Sequence, residues 1–89
     1  MIRKEVTVCN RLGLHARAAA KLVQIANQFQ AHVSLTTNQM CADAKSILGV
    51  LTLAAAKGTP LIIEVDGPDE AEALSQIEHL IQNRFGEGE

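Results

Sequence analysis

Apolar and polar residues alternate with a period of two at three places along the chain, and each reads as a strand with one buried face. The first covers residues 4–9, with Val6 and Val8 on one side and Glu5 and Thr7 on the other. The second covers 32–37, with Val33 and Leu35 inward, and the third 61–66, with Leu61, Ile63 and Val65 sharing a side. A tight turn at Asn38 and Gln39 leads into a short returning strand over 40–43. Asn10 to Gly13 breaks the first alternation and predicts a loop.

Elsewhere the period becomes helical. From 16 to about 27 the chain is rich in Ala, Leu, Lys and Gln, good helix formers. Ala19, Leu22, Val23, Ala26 and Phe29 form a stripe there that can face a core. Ser46 precedes a short helical segment, 47–53, too uniformly apolar to have a single buried face. Asp69 with Glu72 three positions later predicts a capping box for a last helix buried through Leu74, Ile77, Ile81 and Phe85. Residues 86–89 are expected to fray.

The order strand, helix, strand, strand, short helix, strand, helix predicts an α+β fold. Four strands with inward aliphatic residues need cover on one side, and the longer helices supply it. The expected architecture is an open-faced β-sandwich, a four-stranded and mainly antiparallel sheet in one domain spanning 1–89. Apolar residues make up 47% of the chain but aromatics only 2%, so the core must be aliphatic.

A formal charge of −2 argues against a nucleic-acid binder, which needs a basic face. An RNA-reading sheet of similar element order would also need exposed aromatics on its strands, which carry none. The longest apolar runs, 53–56 and 18–20, fall far short of the roughly 20 residues that span a bilayer, so no membrane insertion is expected. The first residues enter a strand pattern directly, without a signal-peptide core, and a cytoplasmic protein is expected. Cys9 and Cys41 have no ligand company at metal-site spacing, and no metal is expected; they read as small apolar side chains in or near strands. His32 and His79 read as surface or structural residues, and Lys21, Lys45 and Lys57 as charges able to steer acidic partners.

Candidate chemistry concentrates at residues 13–19. His15 stands at the mouth of a helix, Arg17 two positions on, and small residues surround both. A helix start has N–H groups without intrahelical partners and a partial positive charge, which together favour an anion such as phosphate. The backbone of Ala16, Arg17 and Ala18 is the expected cradle. A neutral imidazole has a nucleophilic lone pair, so His15 can accept a phosphoryl group whose charge meets those amides and Arg17. The alternative is an ordinary helix cap beside a surface charge.

The segment Asn10-Arg11-Leu12-Gly13-Leu14-His15-Ala16-Arg17 closely resembles the phosphorylation motif of the HPr family, histidine phosphocarriers of the bacterial phosphoenolpyruvate-dependent phosphotransferase system. Lys45-Ser46-Ile47-Leu48-Gly49, Ala56-Lys57-Gly58 and the stretch from Asp66 to Ala71 resemble later family segments, so the likeness covers essentially the whole chain. It implies that His15 is phosphorylated on Nδ1 by phosphorylated enzyme I and donates to enzyme IIA-type acceptors, with Arg17 steadying the phosphoryl group. It further implies Ser46 as the site of an HPr kinase/phosphorylase, and Ile47, Leu48 and Leu51 as a partner-docking patch. The protein would then be a monomeric carrier without cofactor, a substrate of other enzymes rather than an enzyme. Ala18 stands where the family usually has proline, and Leu12 where many sugar-system members have a small polar residue. A rival reading is a purely regulatory docking module acting on a kinase or transcription factor through Ser46 and the same patch.

Overall fold

The computed structural model describes residues 1–86; of the tail expected to fray over 86–89, Gly86 is held in a turn, its N–H donating to the Asn83 carbonyl, and 87–89 lie outside the described residues. The order is β1 (Ile2–Thr7), α1 (Ala16–Ala26), β2 (His32–Thr36), β3 (Cys41–Asp43), α2 (Ile47–Thr52), β4 (Pro60–Asp66), α3 (Glu70–Gln82) and a 3₁₀ turn (Arg84–Gly86). The strands form a four-stranded sheet in the order β1-β4-β2-β3, and every neighbouring pair is antiparallel.

Register follows the hydrophobic alternation. Val6 pairs with Leu61 across β1 and β4, while Val33 and Leu35 on β2 pair with Val65 and Ile63 on β4. All of these are buried, because a one-residue slip would turn the whole set to solvent. Leu22 and Ala26 of α1, and Ile77 and Ile81 of α3, join them in one aliphatic core.

Three expectations shift. β1 begins and ends two residues earlier than its alternation suggests; Val8 stays buried through a local pair in which its N–H donates to the Thr59 carbonyl and its carbonyl accepts from Gly58. Phe85 is buried, but not as part of α3: the helix ends at Gln82 and the residue swings inward on a left-handed turn.

The capping box at Asp69 and Glu72 does not form. Asp69 is the N-cap, yet its carboxylate makes no cap bond and instead accepts from the N–H groups of Gln30 (2.9 Å) and Ala31 (2.8 Å). The reaching-back role falls to Glu70, which accepts from the Gly67 N–H at 3.1 Å. The segment entering β2 offers unpaired donors beside α3, and a carboxylate there satisfies two at once.

Candidate phosphorylation site

The site begins with how the 8–15 segment is held. Asn10 is fully buried, and its side-chain amide donates to the Gly13 carbonyl at 2.9 Å. The Gly13 N–H donates to the Asn10 carbonyl at 3.2 Å, closing a compact turn that leaves Leu12 61% exposed at its tip. Leu14 then enters the core, its N–H donating to the Ala55 carbonyl at 2.8 Å. Gly13 adopts φ +66°, and a Cβ there would run into the Ala55 carbonyl oxygen and lie 2.9 Å from Ala56 Cα. Glycine alone fits both the conformation and the approach.

This turn delivers His15 to the helix mouth. His15 is the N-cap of α1, in extended conformation at φ −75° and ψ 177°, and its carbonyl accepts from Ala19 at 2.8 Å. Its Nδ1 accepts from the Arg17 N–H at 3.2 Å, so the imidazole caps the helix as a serine or aspartate would. That bond places the Nδ1 lone pair at the positive end of α1, with the ring proton on Nε2. An electrophile arriving at Nδ1 meets the same amide as a donor to its own oxygens.

His15 is half-buried, whereas Ala16 and Arg17 are exposed. They line an open cleft of about 600 Å³ with Arg11, Leu12, Lys21 and Gly86. The sequence pattern thus brings His15, Arg17 and the first turn of α1 together. Ala18 is fully buried by side chain, and its amide belongs to the same first turn.

The Ser46 region stands apart. Ser46 caps α2, its Oγ accepting from the Gly49 N–H at 3.1 Å, and none of Ser46, Ile47, Leu48 and Leu51 lines the cleft. α2 packs against α1. Ile47 and Leu48 are 44% and 77% exposed, while Leu51 is half-buried against the core.

The Lys45 ammonium donates to the Phe29 carbonyl at 2.8 Å, which fixes its place and leaves its charge. Lys21 likewise donates to the Phe85 carbonyl at 2.6 Å. Cys41 is exposed on β3, and half-buried Cys9 directs Sγ to the Ile81 carbonyl at 3.2 Å. Sequence reasoning missed the bracing by Asn10 and the closure of the cleft by the turn after α3. The spacing Asn-x-x-Gly before the histidine is a signal for the first; nothing local signals the second.

A family model described as the PTS HPr component phosphorylation site matches residues 2–83. The chain belongs to the PTS HPr family. Phosphocarrier protein HPr of Cupriavidus necator is 52% identical over 89 residues, covering 100% of both chains. A crystal structure of HPr-C-His from Thermoanaerobacter tengcongensis superimposes with a TM-score of 0.94 at 34% identity, covering 98% of each chain. An HPr dimer from the same organism matches with a TM-score of 0.78 at 34% identity, covering 98% of this chain and 100% of that one. As a member of this family the chain is a phosphocarrier of the phosphotransferase system and not a catalytic enzyme. Among the described residues no helix is long and apolar enough to cross a membrane.

Proposed function

We propose that His15 carries the phosphoryl group, received from phosphorylated enzyme I and passed to an enzyme IIA-type acceptor. The observation that carries this reading is the bond from the Arg17 N–H to His15 Nδ1, which aims the lone pair at the helix mouth. As the Nδ1–P bond forms, the bond from phosphorus to the donor breaks and its electron pair leaves with the donor. The Arg17 amide turns from the ring nitrogen to a phosphoryl oxygen, joined by the neighbouring first-turn amides and the Arg17 guanidinium. The second transfer runs these steps in reverse toward the acceptor. An exposed, partly hydrogen-bonded phosphoryl group is held without being trapped, and a monomer that makes brief complexes suits such a carrier.

Ser46 is proposed as a regulatory phosphorylation site for an HPr kinase/phosphorylase. A phosphate there replaces a cap hydroxyl at a helix N-terminus, where added negative charge is tolerated, but sets a dianion beside Ile47 and Leu48. It would weaken docking and leave His15 in place.

The deciding experiment is transfer from radiolabelled phosphoenolpyruvate through enzyme I to this protein and to His15→Ala. Label that requires His15, is lost in acid and survives in base is the expected result. Equal labelling of the variant would move the chemistry to another residue. No label on either, with enzyme I shown to be active, would favour the regulatory-module reading.

A further inference from the structure

One turn beyond Arg17, helix α1 carries a second cation that is tied down. Lys21 is half-buried and donates to the Phe85 carbonyl at 2.6 Å, and both Lys21 and Gly86 line the cleft that holds His15. Arg17 and Lys21 stand four residues apart on one face of the helix, a like-charge spacing that an isolated helix disfavours. The carbonyl gives the ammonium a partner and keeps it at the cleft.

That carbonyl belongs to a turn the backbone does not adopt unaided. Arg84, Phe85 and Gly86 are all left-handed, with φ of 55°, 54° and 75°. Two such non-glycine residues in a row persist only where the surroundings over-determine them. The restraints are the Phe85 side chain, 1% exposed in the core, the bond from Gly86 N–H to the Asn83 carbonyl at 2.9 Å, and the Lys21 ammonium.

We propose that Lys21 is a positioning residue: it pins the Arg84–Gly86 turn as a wall of the cleft, and this wall governs how long a phosphoryl group on His15 survives water. The inference rests on the carrier reading. In the competing reaction a water oxygen bonds to phosphorus, the P–Nδ1 bond breaks, its electron pair returns to Nδ1, and inorganic phosphate leaves. A fixed wall restricts the directions from which water reaches phosphorus, whereas a loosened turn admits it.

The test uses protein phosphorylated through enzyme I, then separated from it, and follows loss of label from wild type, Lys21→Met, Lys21→Arg and Phe85→Leu. Lys21→Met keeps the aliphatic stem without the donor, and its label should decay about five- to tenfold faster, the scale set by one lost hydrogen bond. Lys21→Arg restores a donor and should return the lifetime to near wild type. Phe85→Leu loosens the wall from its other anchor with the charge intact, and should also shorten it. In the unphosphorylated proteins, hydrogen exchange at the Gly86 amide should accelerate in Lys21→Met and Phe85→Leu only. An unchanged lifetime in Lys21→Met overturns the proposal. So does a shortened one with Gly86 exchange unchanged and Phe85→Leu normal, which would mark an effect of charge alone. Wild type that takes no label refutes the carrier reading and the lifetime role with it, while the exchange measurement still reads whether Lys21 pins the turn.

Discussion

Gly13 shows how much a single backbone position decides. Its left-handed φ and its contact with Ala55 and Ala56 set the direction in which the next two residues leave the turn, and hence where His15 stands. Gly58, at φ +91°, has nothing within 4 Å of where a Cβ would sit. Gly58→Ala therefore meets only the conformational cost, about 1 kcal/mol. Gly13→Ala meets that cost and a collision with backbone, and should destabilise by about 2–3 kcal/mol. Denaturant unfolding of the two variants reads the difference, and only Gly13→Ala should also slow phosphoryl transfer. The glycine, the histidine and the arginine are legible in the sequence because a short motif holds them. Asn10 is less so: an asparagine in a loop looks solvated until the fold shows it fully buried against Gly13.

At the scale of elements, the start of α3 is the clearest departure from local rules. Asp69 belongs to the helix by position and to the segment entering β2 by hydrogen bonding. Its carboxyl is held below its ordinary value of 3.8, first by the Gln30 N–H, then by the Ala31 N–H, with the Lys45 charge assisting and partial desolvation opposing. A lowered folded-state value means the stabilisation is complete above the unfolded value and disappears as pH falls through the folded one. Asp69→Asn should therefore melt at a lower temperature than wild type at neutral pH, and the gap should close in strong acid. Melting curves across that range check it; a constant gap would mean the carboxylate charge is irrelevant. Glu70 shifts downward as well, held by the Gly67 N–H and by the Met1 amino group 3.0 Å away. The capping-box expectation failed because a local pattern cannot reveal that a distant loop, the segment entering β2, offers the carboxylate two donors.

For the molecule as a whole, the division between what holds it together and what faces outward is sharp at α2. Val50 is fully buried, whereas Leu48 on the same short helix is 77% exposed. Leu48→Ala should change unfolding free energy by no more than about 0.5 kcal/mol, as exposed positions do. If the patch docks enzyme I, the same variant should raise the KM for transfer about 5- to 30-fold, the range of an interface anchor. Ser46→Asp should raise KM in the same direction with little change in stability. A Leu48 variant with normal KM would remove α2 from the docking surface.

The sequence by itself determined the element order, the aliphatic core positions, the antiparallel sheet and the pairing of His15 with Arg17. The elements, the core positions and the motif are written in short-range periodicity and local spacing. The antiparallel sheet follows from the element order and the cover its aliphatic face needs, although its pairs join residues far apart in the chain, such as Val6 and Leu61. It also carried the family through segments spread along the whole chain. Only the tertiary structure decided that Asp69 serves the segment entering β2, that Phe85 enters the core on a left-handed turn, that Lys45 bonds to the Phe29 carbonyl, and that Lys21 ties the turn after α3 to the cleft that holds His15. Each of these joins a side chain to a backbone group made available by a distant element. Which carbonyl or N–H lacks a partner is settled by packing, and packing is a property of the assembled layers.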